Sequence, residues 1–197
     1  MARINQNAVK KDLQKALKSF EKEAMAEALK VFNKNKAELL QDFREHPVTK
    51  EIQAGPNASN TSSTLGGYGN LFSYIGFDKD SEDPTRIIED RLMKETEMSK
   101  TPTFKIKGDE IVFEFNVNTV DKESLAKDTP MPFEQGRSWV NGIEKGISGL
   151  SYYIYGKLLD KSRSGSGLQS DTKIRGLSYK PVKYMSEILN KFKRKFK

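Results

Sequence analysis

Histidine, cysteine and closely spaced carboxylates are where chemistry would start, and this chain supplies few of them. His46 is the only histidine among 197 residues, and cysteine is absent. Disulfides and thiolate metal sites are therefore excluded, and a histidine-based metal site or a Ser–His hydrolase would rest on one imidazole beside Pro47. A turn or helix-end role for His46 is the simpler reading. Asp78, Asp80, Glu82 and Glu89 fall at positions one, three, five and twelve of a calcium-loop pattern. The sixth position, which demands glycine, is Asp83, and Pro84 follows it. Acids gathered ahead of a helix explain the same residues through the helix dipole. Gly66-Gly67-Tyr68-Gly69 and Ser162-Arg163-Ser164-Gly165-Ser166-Gly167 are glycine-rich, but no Gly-Lys-Ser/Thr follows either, so neither is a phosphate loop. Arg163, between serines, is placed to meet a phosphate or a neighbouring subunit's carboxylate, with a plain flexible loop as the alternative. No acid–base pair, activated nucleophile or metal cluster can be assembled. No catalytic residue, metal, cofactor or small-molecule substrate is expected.

Charge is the stronger signal. The formal net charge is +7, and residues 180–197 hold seven cations against Glu187 alone, a net +6. A nearly neutral body thus carries a basic tail, in which Lys191, Lys193, Arg194 and Lys195 are candidates to face DNA or an acidic partner without reading sequence. A merely solubilising lysine tail fits the same residues. Apolar residues make up 36% of the chain and charged residues 31%, which suits long solvated helices or a subunit that completes its core against neighbours. No apolar run approaches the roughly 18 residues of a membrane span, and the first residues lead into charged helix without a signal-peptide apolar region. A soluble protein made in the cytoplasm is expected.

The elements that must position these groups read as one α+β domain over 1–197. Residues 7–45 form a long amphipathic helix, with Val9, Leu13, Leu17, Phe20, Ala24, Val31 and Phe32 on one stripe and Leu39, Leu40 and Phe43 resuming it. At about 1.5 Å per residue it would be roughly 55–60 Å long, more than a small domain's diameter, so one end projects or packs on another subunit; a break near Asn33–Asn35 is the alternative. Pro47 ends it. Residues 46–77 then read as an extended arm or loop, turn-rich to Thr64 and finishing in the apolar run Leu71-Phe72-Ser73-Tyr74-Ile75-Gly76-Phe77. A plain linker would be polar throughout, so Leu71, Phe72, Tyr74 and Phe77 are expected to anchor the arm on a sheet or an adjacent subunit.

A helix is expected over about 84–99, opened by Pro84. Residues 103–118 alternate apolar and polar around Gly108-Asp109, the mark of a hairpin with one apolar face that more strands or a helix must cover. A short helix over 120–128 follows. Residues 137–156 are ambiguous, with helix to about 148 and strand afterwards favoured. A basic C-terminal helix starts at Pro181, with Val182, Met185, Ile188, Leu189 and Phe192 on its apolar side. The expected fold is therefore α+β, with a long N-terminal helix, a small antiparallel sheet built on the hairpin, and a basic C-terminal helix.

Several stretches also resemble virion proteins of tailed bacteriophages: His46-Pro-Val-Thr-Lys-Glu-Ile52 at the end of the long helix, Asn70-Leu-Phe-Ser-Tyr-Ile-Gly-Phe77, Gly136–Leu150 and Ser162–Gln169. The type most similar is the neck or tail-completion protein of the head–tail junction. The resemblance implies a homo-oligomeric ring in the virion that joins portal and head-completion proteins to the tail tube or sheath around the DNA channel. The alternative is a small basic nucleic-acid-binding protein acting through its C-terminal helix.

Overall fold

The computed structural model describes residues 6–66, 69–107, 110–132, 134–146, 153–154, 168–169 and 179–196. Helix α1, Gln6–Glu45, runs unbroken for 40 residues, so the break at Asn33–Asn35 is not taken. No glycine or proline interrupts it, and its polar stretch is held from outside. Lys36 Nζ donates to the carbonyls of Met93 and Thr96, both at 2.7 Å, at the C-terminal end of the helix packed beside it. Only the second half of α1 enters the core, through Phe32, Leu39 and Phe43. Residues 15–31 have no fully buried side chain, so this part of the helix stands clear of the core.

Helix α2, Pro47–Gln53, follows at once, with proline in its first turn where a missing N–H costs nothing. A 3-10 turn at Gly55–Asn57 leads to helix α3, Leu71–Ile75, and then to helix α4, Arg86–Glu95. Pro84 opens the preceding turn, where Asp83 Oδ1 accepts from the Thr85 amide and hydroxyl at 2.8 Å each. Four strands follow: β1, Glu97–Met98; β2, Thr103–Lys107; β3, Glu110–Glu114; and β4, Val117–Asn118. They form two separate two-stranded antiparallel sheets, β1 with β4 and β2 with β3, the second in the register Phe104↔Phe113 and Lys107↔Glu110, rather than the single small sheet expected. Between them the Ser99 amide donates to Asn116 O at 2.8 Å and the Asn116 amide to Ser99 Oγ at 3.0 Å, and Pro102, which has no N–H to donate to a ladder, precedes β2.

Helix α5, Lys122–Lys127, is capped by Asp121, whose carboxylate accepts from the Glu123 and Ser124 amides. Strands β5, Pro130–Met131, and β6, Glu134–Ser138, pair antiparallel and deliver helix α6, Trp139–Lys145, which stops at Gly146 with φ 99°. Strands β7, Tyr153–Ile154, and β8, Leu168–Gln169, pair with each other. Of the ambiguous stretch 137–156, residues 137–138 finish β6, 139–145 are helix and 153–154 strand, the helix ending short of the expected 148, and residues 147–152 and 155–156 lie outside the described residues. Helix α7, Met185–Arg194, closes the chain. It starts later than Pro181 because 179–184 has no regular structure and is tied instead by Lys180 N to Thr64 O at 2.8 Å and by Val182 N to Ile143 O at 3.2 Å. The fold class is α+β.

One hydrophobic cluster joins the second half of α1 to α2, α3, α4, α6 and α7. Trp139 and Tyr184 lie at its centre. Phe77 meets Trp139 edge-on at 5.6 Å, and Tyr184 lies 6.4 Å from Trp139 and 6.2 Å from Phe43. The Tyr184 hydroxyl is satisfied by Thr49 Oγ1 at 2.9 Å, as a fully buried phenol requires.

Candidate functional site

The residues expected to anchor an arm are the first correction. Leu71, Phe72, Tyr74 and Phe77 are 0–5% exposed inside the chain's own core, so they are not on offer to a neighbour. The stretch is a helix with orderly ends. Asn70 caps it, its Oδ1 accepting from Ser73 N at 2.8 Å. Gly76 terminates it at φ 84°, and the Gly76 and Phe77 amides both return to Phe72 O. A short helix that is apolar on all sides is a buried helix, and the Asn70…Gly76 cap pair was the sequence signal for it.

The segment before it is the second correction. Asn60, Ser62 and Thr64 do not belong to a mobile arm, because they are organised around Glu51, a carboxylate only 1% exposed. Glu51 Oε1 accepts from Asn60 Nδ2 at 2.9 Å and from Leu71 N at 2.7 Å, and Oε2 accepts from Ser62 N at 2.8 Å. Asn60 Oδ1 in turn accepts from Leu65 N at 2.9 Å. A buried carboxylate is tolerable only when hydrogen-bonded in this way, and its negative charge at the start of α3 also suits the helix dipole. The Asn/Ser/Thr composition therefore supplies ligands for an internal carboxylate. Helical spacing could not show this.

His46 has a cap role. It sits before α2 with extended backbone, and its Nδ1 accepts from Val48 N at 3.2 Å. Burial against Tyr184, 4.9 Å away ring to ring, pushes its pKa down, and nearby Glu187 only partly opposes this. The acids of the calcium pattern also have local work. Asp78 Oδ1 accepts from Asp80 N, Glu82 pairs with Arg86, and Glu89 pairs with Arg44 of α1. Among the described residues, no group of three or more His, Asp or Glu could hold a metal ion.

The basic helix divides. Lys191 Nζ lies 2.6 Å from Asp42 Oδ1, and Lys195 pairs with Glu38, both acids on α1. The hydrogen bond from Lys195 holds the Glu38 carboxyl below its usual range, and the one to Asp42 raises the Lys191 ammonium. These two lysines thus join the apolar side of α7 in docking it on α1. Lys193 and Arg194 are exposed. At the other end of α7, Glu144 Oε1 accepts from the amides of Tyr184 at 3.2 Å and Ser186 at 2.7 Å, and Glu144 also pairs with Lys122. Burial works to raise this carboxyl, but Lys122 and the two amides together hold it below the usual range. Arg163 lies outside the described residues.

What stays open is apolar surface in a place the sequence reading expected to be covered. The hairpin leaves Phe104 54% and Ile111 38% exposed, with Phe104 6.4 Å from its cross-strand partner Phe113. Phe20 of the free half of α1, beside the hairpin, is 53% exposed, and Val31 further along the same helix is 54% exposed. An open groove of about 510 Å³ runs between them, lined by Phe20, Glu23, Ala24, Glu27, Ile111 and Phe113. The alternating pattern of the hairpin announced its apolar face, but the face's exposure is a tertiary fact. No helix among the described residues is long and apolar enough to cross a membrane, so these exposed residues are not part of a helical span.

Compared with known proteins, the chain matches no family model, no curated sequence and no solved structure.

Proposed function

We propose that the chain is a structural assembly subunit, and specifically a ring-forming neck or tail-completion subunit of a tailed-phage virion that joins the head portal to the tail around the DNA channel. The observation that carries the reading is the apolar surface shared by the β2–β3 hairpin and the free half of α1, with Phe20, Val31, Phe104 and Ile111 all exposed. Exposed apolar surface of this kind, joined across the groove by Phe20, Ala24, Ile111 and Phe113, marks an association site, and closing a ring would bury it. The resemblance of the Asn70–Phe77 and Gly136–Leu150 stretches to phage neck proteins supplies the context, and the portal, head-completion and tail-tube or sheath proteins are then the partners. The reading assigns the chain no catalytic turnover. Multi-angle light scattering and electron microscopy of the purified chain, alone and with its portal, test it. A closed multimer is expected. A particle that stays monomeric under both conditions would refute it.

A nucleic-acid-binding role through α7 is supported by the exposure of Lys193 and Arg194. Pairing of Lys191 and Lys195 with Asp42 and Glu38 weakens it, because those two charges are already neutralised within the chain. On this second reading, Lys193→Glu with Arg194→Glu lowers both affinity for duplex DNA and its salt dependence, whereas no binding at low salt removes the idea.

A further inference from the structure

The β2–β3 ribbon separates its charges by strand. On the face opposite Phe104 and Phe113, β2 carries Lys105 and Lys107 and no acid, while β3 carries Glu110 and Glu114 and no base. Lys105 Nζ already reaches Glu114 at 2.8 Å across the ribbon. Among the described residues neither strand has a second partner, so each turns one row of backbone N–H and C=O groups outward. Charged side chains commonly protect such edges, but protection needs no segregation of sign. Here one edge is basic and the other acidic, and a two-stranded ribbon is marginal by itself.

We propose that this ribbon is the contact between copies of the chain, the acidic β3 of one subunit adding to the basic β2 of the next; the proposal rests on the ring reading and names the surface that builds the ring. Pairing β2 with a second β2 would set lysines against lysines, and β3 with β3 would set glutamates against glutamates. Both two-fold arrangements are disfavoured, and the head-to-tail one is selected. Head-to-tail contacts make rings when the rotation closes. A small rotation between neighbours leaves strand direction nearly unchanged, so β3 runs antiparallel to the next β2 just as it does within the subunit. Lysine and glutamate columns then alternate around the polar face. On the other face, Phe113 of one copy comes beside Phe104 of the next, covering the ring left 54% exposed in the single chain.

The test uses four full-length proteins in sedimentation velocity and native mass spectrometry: wild type, K105E/K107E, E110K/E114K, and the fourfold exchange of all these charges. Wild type is expected to form a closed ring. Each double variant alone associates at least about tenfold more weakly, because it sets like charges across the contact. A one-to-one mixture of the two recovers assembly, since each offers the edge the other lacks. The fourfold variant keeps opposite charges within its own hairpin, so it assembles with itself but does not enter wild-type rings. That last experiment stands even if a double variant folds poorly. Double variants that assemble like wild type, a mixture that recovers nothing, or free exchange between fourfold and wild-type subunits would overturn the proposal. If wild type forms rings through any of those results, the ring reading survives and only the ribbon contact falls. A wild-type monomer removes both.

Discussion

Replacing Glu51 with alanine tests whether the polar segment before α3 is part of the body. The carboxylate receives three hydrogen bonds, from Asn60 Nδ2, Ser62 N and Leu71 N, in a site almost closed to water. Each bond to a charged acceptor contributes about 1.5–3 kcal/mol net, and alanine leaves three donors without it. Water admitted to the vacated space recovers part of this, and the cost of burying the charge disappears with the charge. The remainder is a loss of about 3–5 kcal/mol, or roughly 6–20 °C in melting temperature for a chain of this length. Glu51→Gln refines the estimate. Its amide oxygen can still serve Asn60 and Leu71, but its NH2 would face the Ser62 amide, donor against donor, so about half the loss is expected. Urea unfolding followed by circular dichroism, at two protein concentrations to expose any contribution from assembly, measures both variants. An alanine variant within about 1 kcal/mol of wild type would refute the argument and return residues 58–70 to the status of a loose arm.

Phe72→Ala should destabilise the isolated subunit by about 3–5 kcal/mol, the cost of emptying a core site, rather than merely weaken assembly; near-native unfolding midpoints would contradict the burial of α3. Gly76→Ala places a side chain at φ 84° and should cost about 1–2 kcal/mol in the same assay. Acidification provides a third check. The His46 pKa is lowered in the folded chain, so the unfolded chain takes up the proton first and stability falls as pH drops from about 7 through the unfolded value near 6.5 towards the folded one. His46→Asn keeps a capping acceptor but cannot titrate there, so its unfolding midpoint should change less between pH 7 and 5.5. Equal slopes for the two proteins would exclude His46. Below about pH 5 a separate loss is expected as Glu144, whose folded pKa is lowered, is protonated and releases Lys122 and the α7 amides.

The sequence by itself determined the elements whose signals are local. The existence of helix α1, the Pro47 boundary, the pairing of the hairpin strands and the apolar side of α7 all follow from spacing within a single element. It also showed how little chemistry the chain could assemble, because one histidine and no cysteine can be counted without coordinates. Only the tertiary structure decided which apolar runs are used internally. Leu71–Phe77 and the hairpin face are both short apolar patterns, yet Phe72 is buried and Phe104 is not. Burial depends on which distant surfaces arrive, here α6 through Trp139 and the 179–184 segment through Tyr179, which stacks on Tyr74 at 5.6 Å. Charge followed the same rule. Four cations at the C-terminal end of α7, three in its last turn and Lys195 just past it, look equivalent in the sequence, but Asp42 and Glu38, some 150 residues earlier, neutralise two of them. Local periodicity fixes the face an element turns inward. The partner that meets that face is set by long-range packing, which no window of sequence contains.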